Sequence, residues 1–363
     1  MLPFYISCLL PCKPLLFVIV RKVEYLQKLS NIFKTCYLFG IASQDGCAKV
    51  YAVDSLEEKG IISLHISDSI TTAKYSSDSS FIVTNTDSVW ADVWDTENYK
   101  CVRHLDGHTD LINSLSFSDD GKHLVTSSKD NTSIVWDVNG SEIEPSGKLV
   151  GHSEGFYMAV FSPDSQHLAL FSDDKIVSVW NTKTFKYMGT LKEPSGIVCV
   201  DFSIDSKRIA TVSEYGEVKI WSIDSFEVIR ELCGRKELVV TAKFSPDGKH
   251  LVTCSDNRRT KVWDVESYEC IYELGSKTSA PFMATYSNDG KLFAIADYER
   301  IRLYKAETYK PITTLDTREL GAFRYKIQFH PSSRELLAYT TAGDIMKWEL
   351  RFHTKTVPVM QFR

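Results

Sequence analysis

Apolar and polar positions alternate in short runs along most of this chain. The run INSLSF (112–117) has the period-two pattern of a strand with one buried face. Polar turns of one type follow such runs: SDDGK, SPDSQ, SIDSK, SPDGK and SNDGK. Asp in these turns bonds its own backbone, and Gly accepts a positive φ, so each turn predicts a tight reversal. A β-rich run comes next, as in HLVTSS, RIATVS or HLVTCS. A third run then ends in an aromatic residue, as in TSIVWD, KIVSVW, EVKIW and TKVWD. A fourth run follows another polar turn: YKCVRHL, FKYMGTL, FEVIREL, YECIYEL and YKPITTL. The pattern therefore predicts units of four short strands.

These units share one register. An aromatic residue precedes the first turn at Tyr75, Phe117, Phe161, Phe202, Phe244, Tyr286 and Phe329. A second aromatic closes the third strand at Trp94, Trp136, Trp180, Trp221, Trp263, Tyr304 and Trp348. The two are 19 residues apart in six units and 18 apart in the Tyr286/Tyr304 unit, and successive third-strand aromatics lie 41 to 44 residues apart. A repeat of this length marks a radial or stacked array, because one four-stranded sheet cannot bury both faces alone.

With the pairs Gly107-His108 and Gly151-His152, and Trp-Asp at Trp94, Trp136 and Trp263, the chain resembles the WD-repeat β-propeller family from about Tyr37 to Leu350. The resemblance implies an all-β fold of four-stranded antiparallel blades. Tyr51 lies 43 residues before Trp94 and makes eight candidate blades, with seven, the family's usual number, as the alternative. The expected organisation is an apolar leader over 1–25 and a single propeller domain over 26–363. Its approximate repeats are 26–66, 70–106, 109–150, 153–191, 195–232, 237–274, 279–315 and 321–363, and TVPVMQF supplies the outer strand of the last blade.

Composition narrows the function classes. The 43% hydrophobic and 25% charged content fits an ordinary globular core. A net charge of −5 gives no bias toward polyanions. The nine scattered cysteines form no C-x-x-C pair and no dense disulfide framework. A reducing compartment is expected, the cytoplasm with the nucleus as alternative. The opening MLPFYISCLLPCKPLLFVIV carries three prolines and Lys13, lacks a charged leading region, and has an uninterrupted apolar run only over 15–20. That argues against a signal or membrane anchor and for a packed strand, a leader without fold, or a misplaced start.

The stretch from Leu105 to Asp137 holds His, Ser/Thr and Asp, the ingredients of a hydrolase triad. It lacks a Gly-x-Ser-x-Gly elbow, and the same group recurs in the next repeat, whereas an active site occurs once. The resemblance implies a structural tetrad instead, in which a buried Trp N–H is satisfied by a hydroxyl that also meets His, and His meets Asp. One set is His108, Ser128 (Thr126 being the alternative hydroxyl), Asp130 and Trp136; the other is His152, Ser172, Asp174 and Trp180. The position six before the Trp holds Ser88, Tyr215, Asn257 or Ala342 elsewhere, so the third and fourth blades are expected to be the most rigid. His104 and His108 have metal-pair spacing only on a helix. His123, His167 and His250 recur at one strand start and read as a solvated edge. No cofactor, metal or catalytic residue is expected.

The resemblance places partner binding on the fourth-to-first and second-to-third turns. These carry Phe156, Tyr157, Tyr215, Arg235, Lys236, Arg258, Arg259, Tyr298 and Arg300. Aromatic residues and Arg are enriched at binding hot spots. In DNRRT the arginines have no evident structural use, which points to acidic or phosphorylated motifs. The reading is a non-catalytic protein-interaction scaffold within a multi-subunit complex; the alternative is an RNA- or ribonucleoprotein-associated propeller using an Arg/Tyr face.

Overall fold

The computed structural model describes residues 17–19, 38–42, 47–52, 58–63 and 70–350, except 77–79, 87, 97, 99, 140–141, 155, 234–237, 276–278, 319–324, 330–334 and 341–344. Every regular element among them is a β-strand, gathered into sheets at 17–63, 70–105, 112–150, 156–192, 197–233, 239–275, 281–316 and 325–349. Six of these are four-stranded antiparallel meanders, with sequence neighbours paired in order. The 17–63 sheet departs from that pattern, because Phe17–Ile19 pairs in parallel with Leu38–Ala42. Phe17–Ile19 is an edge strand of that four-stranded sheet. The 325–349 sheet has three strands among the described residues, and TVPVMQF lies outside them.

The chain divides into two compact units. One holds the sheets from Ile70 to Cys233 and the other those from Val239 to Glu349; the 17–63 sheet contributes to both.

The strand register explains the spacing of the aromatics. Phe117 pairs with Leu124, and Leu124 pairs with Trp136. The same row recurs as Phe161–Leu168–Trp180, Phe202–Ile209–Trp221, Phe244–Leu251–Trp263, Tyr286–Phe293–Tyr304 and Phe329–Leu336–Trp348. Two reversals of fixed length separate the outer members of each row. The shorter interval to Tyr304 arises where Asp297 Oδ1 takes the N–H groups of Glu299 and Arg300 and tightens the turn.

Second strands lie deepest. Phe81–Thr86 and Leu292–Asp297 are buried at every residue, whereas the outer strand Cys270–Gly275 is almost wholly exposed. Apolar clusters form between consecutive sheets. Val125, Val135 and Leu149 pack with Ala159, Phe161 and Leu168, while Phe282 and Leu303 pack with Ile327, Phe329 and Trp348. Burial between faces is the main stabilising term, at roughly 25 cal/mol per Å2 of apolar surface.

Two further devices tie neighbouring sheets together. Phe185, Phe226 and Tyr309 occupy the last turn of their sheets with φ of 53°, 58° and 50°. Phe185 lies against Gly147 of the preceding sheet, where an added Cβ would sit 3.0 Å from the ring, and Phe226 lies even closer to Gly189. Tyr309 instead meets Tyr272, at the register position of those glycines, at 4.9 Å. His123 and His250 stand edge-on to Phe185 and Tyr309 at 6.1 and 5.7 Å. These two histidines are therefore packed between sheets and do not form the solvated edge that their recurrence suggested.

The second device is a pair of serines. Ser165 and Ser206 hold a positive φ of 58° where Gly121, Gly248 and Gly290 stand in the 112–150, 239–275 and 281–316 sheets. Each accepts an N–H from the turn of the preceding sheet: Asp120 to Ser165, and Asp164 to Ser206, both at 3.1 Å. The bond offsets a backbone conformation costing roughly 1–2 kcal/mol for a residue with a Cβ.

Candidate functional site

In the 112–150 and 156–192 sheets, the loop arriving from the previous sheet lies alongside the turn from the second strand to the third. In 112–150 this brings His108 next to Asp130. His108 Nδ1 donates to Asp130 Oδ2 at 3.0 Å, and its Nε2 accepts from the Thr126 hydroxyl at 2.8 Å. Thr126 Oγ1 accepts the Trp136 indole N–H at 3.0 Å. The linking hydroxyl is thus Thr126 and not Ser128. Ser128 lies two residues nearer the turn, where its hydroxyl donates to the Asp110 carbonyl and accepts the Asp130 N–H.

Asp130 also takes the Thr109 N–H and both the N–H and hydroxyl of Thr132. Burial alone would raise its pKa, but these donors and His108 outweigh it and hold the carboxyl at about 2. Burial pushes His108 below its ordinary value, against the pull of Asp130. The imidazole is therefore neutral, with its proton toward the carboxylate.

The 156–192 sheet builds the same link from a different strand. His152 Nδ1 meets Asp174 at 2.8 Å, and its Nε2 meets Ser178 Oγ at 2.7 Å. Ser178 Oγ accepts the Trp180 indole N–H at 2.9 Å. Ser172 is not the link to Trp180; it lies 3.3 Å from His152 Nδ1 and caps the Asp174 N–H. Burial lowers the His152 pKa, again opposed by its carboxylate.

Three other sheets keep the indole bond: Trp94 to Thr84, Trp221 to Thr211 and Trp263 to Thr253. In 197–233 the fully buried Glu193 carboxylate takes the histidine's place, accepting from Thr211 and from Lys219 Nζ at 2.7 Å. In 281–316 the hydroxyl and the indole are lost together, leaving Ile295 and Tyr304. Each hydroxyl in these groups is buried and already engaged by an indole N–H. A substrate cannot reach it, so the triad-like residues are internal ties.

The loops around these ties carry the accessible chemistry. Among the side chains anticipated at a partner surface, Tyr215 and Arg258 are exposed, and Arg300 is exposed beside the Asp297 turn. Arg258 has a φ of 70°, a left-handed conformation that Asn131 and Gly216 adopt in equivalent turns at lower cost. Arg259 Nη1 is held by Glu273 Oε1 at 2.6 Å, which corrects the expectation that both arginines of DNRRT lack a structural use. Tyr298 packs on Phe282 at 5.3 Å and is partly buried. Phe156 pairs with Ser172 through its backbone; its side chain, that of Tyr157, and Arg235 and Lys236 lie outside the described residues. The sequence reading missed Trp90, which is 40% exposed in the turn after Phe81–Thr86.

Within the first unit these sheet ends are acidic. Among the described residues there, Asp106, Asp110, Glu154, Asp173 and Glu214 stand in or beside the turns with Lys129, Lys175 and Lys192, and Asp130 and Asp174 are buried beneath.

Residues 69–349 of this chain match the family described as the IFT122 first beta-propeller, which is well over half of its length. The chain belongs to the IFT122 first beta-propeller family. With it comes membership of the WD-repeat β-propellers, as the aromatic rows and indole bonds lead one to expect. Curated relatives match over short spans. The U3 small nucleolar RNA-associated protein 21 homolog of Schizosaccharomyces pombe is 36% identical over 109 residues, covering 30% of this chain and 11% of that protein. Retinoblastoma-binding-like protein E of Dictyostelium discoideum is 45% identical over 51 residues, covering 14% of this chain and 10% of that protein. The chain thus spans about a tenth of the length of these relatives. The crystal structure of the computationally designed Ika8 protein superposes with a TM-score of 0.73 over 87% of this chain and 94% of that one, at 18% identity, a likeness of fold alone.

Proposed function

We propose that this member of the IFT122 first beta-propeller family is a non-catalytic scaffold that offers its loop-bearing sheet ends to protein or peptide partners within a multi-subunit complex. The observation that carries this reading is the division of labour in each sheet. The Ser/Thr hydroxyls, joined by His and Asp in two sheets, are consumed in holding Trp, while exposed Trp90 and Tyr215 stand at the ends of sheets fixed by the Trp94–Thr84 and Trp221–Thr211 bonds. Rigid aromatic side chains on a fixed frame favour binding because little conformational entropy is lost on contact.

The acidity of the first unit's sheet ends favours a partner segment rich in Lys and Arg. It disfavours the RNA alternative, and equally the acidic or phosphorylated motif, at that unit's described sheet ends; Arg258 and Arg300 lie in the other unit. The relatives named for association with a small nucleolar RNA and with retinoblastoma support a role in assemblies.

Affinity purification with mass spectrometry on the full chain tests this. Trp90→Ala combined with Asp106→Lys and Asp110→Lys removes a common set of partners without lowering the melting temperature. An unchanged partner set sinks the reading. RNA affinity that falls steeply with salt in filter binding would favour the alternative.

A further inference from the structure

The outer strand of the 70–105 sheet, Cys101–Leu105, pairs with Ala91–Asp95 so that His104 faces Asp92 and Cys101 faces Trp94. The register shifts between Val93 and Trp94. In a regular strand, residues three apart point to opposite faces; the extra residue at this bulge brings Cys101 to the same face as His104. His104 Nδ1 lies 2.5 Å from Asp92 Oδ1, and Cys101 Sγ lies 4.0 Å from His104 Nε2. Donor atoms of all three residues lie within 4.8 Å of one another. Asp92 is buried, whereas the imidazole is largely exposed.

The same ladder position elsewhere sets Ile134 opposite Lys148, Ser178 opposite Thr190 and Arg302 opposite Thr314. Lys219 faces Glu231, and Lys261 faces Glu273. The bulge position beside them holds Val228 or Cys270, with no histidine three residues on. Among the described residues, only the 70–105 sheet brings a carboxylate, an imidazole and a thiol together.

We propose that Cys101 and His104, with Asp92 orienting the imidazole, bind a borderline-soft divalent ion of the zinc type. The Asp92 carboxylate accepts the Nδ1–H, which fixes the tautomer and leaves the Nε2 lone pair facing the thiol, the arrangement that carboxylates impose on metal-binding histidines. Bonds of roughly 2.3 Å to sulfur and roughly 2.0 Å to nitrogen at a tetrahedral angle put the two ligand atoms about 3.5 Å apart. The existing 4.0 Å separation closes with a small side-chain adjustment. On binding, the Cys101 S–H gives up its contact with the Arg103 carbonyl, its proton passes to solvent, and a sulfur–metal bond forms. No electron is transferred. The two remaining coordination positions stay open to water or to a side chain of a bound protein.

Cobalt(II) titration of the purified full chain, with zinc(II) as competitor, reads the site directly. The native chain shows a thiolate-to-cobalt charge-transfer band that zinc abolishes. The band disappears in Cys101→Ser and persists in Cys270→Ser. His104→Ala removes tight zinc binding, and Asp92→Asn weakens it about 10–100-fold. Because Cys101→Ser is nearly isosteric on an outer strand, it tests the site without disturbing the fold. An unchanged band in Cys101→Ser, or unchanged zinc affinity in His104→Ala, overturns the proposal.

Discussion

Leu170 and Ser178 face each other across the second and third strands of the 156–192 sheet, where the preceding sheet sets Thr126 opposite Ile134. The hydroxyl that satisfies the tryptophan has crossed the ladder, and an aliphatic side chain fills the vacated position. Both arrangements put an oxygen between indole N–H and imidazole Nε2, so the tie is defined by a point in space and not by one sequence position.

Removing that oxygen leaves two buried groups unpaired. Ser178→Ala is expected to destabilise the protein by about 1–3 kcal/mol. Adding Leu170→Thr returns a hydroxyl from the opposite strand and recovers part of the loss. Chemical denaturation of the two single variants and the double variant measures the coupling; strict additivity would count against the exchange.

Acid weakens both histidine ties. Burial holds His108 and His152 below the ordinary value of 6.5, so the unfolded chain binds protons that the folded chain refuses. Their contribution is complete above about pH 6.5 and is lost as pH falls toward the folded-state values. Denaturation midpoints at about pH 7.5 and about pH 5.5 show the loss. His108→Gln, which cannot titrate, makes the dependence shallower; an equal slope in that variant contradicts the assignment.

Ser165 separates strain from hydrogen bonding. Ser165→Ala keeps the left-handed backbone and deletes the acceptor for the Asp120 N–H, costing about 1 kcal/mol or more. Ser165→Gly deletes the same bond and relieves the strain, so its stability stays close to that of the native protein. Melting curves rank the two, and the reverse order would refute the account.

Glycine at 189 is required by the neighbouring sheet. A Cβ there would overlap the Phe226 ring, so Gly189→Ala is expected to destabilise by about 1–3 kcal/mol. Phe226→Leu in the same background lessens the penalty. At Gly275 an added Cβ meets nothing within 4 Å, and Gly275→Ala serves as the control with no comparable effect.

What the sequence determined by itself was set by local geometry. Strands with a period of two, turns built on Asp with Gly or Ser, and aromatic pairs 19 residues apart fix the meander and its rows, because each row is closed by reversals of nearly constant length. The histidines and aspartates of the ties were legible through the resemblance to the WD-repeat family, whose Gly-His pairs and turn aspartates recur at His108, Asp130, His152 and Asp174. Tertiary structure decided the rest. Ser128 and Ser172 matched the pattern, yet Thr126 and Ser178 hold the indoles, because the choice depends on which side chain points under the tryptophan across the ladder. Arg259 acquired Glu273 from the next strand, and His123 acquired Phe185 from the next sheet. The pairing of Cys101 with His104 needed a bulge that no residue pattern announces. Contacts between strands and between sheets join positions far apart in the chain, and a one-residue shift in register exchanges their partners.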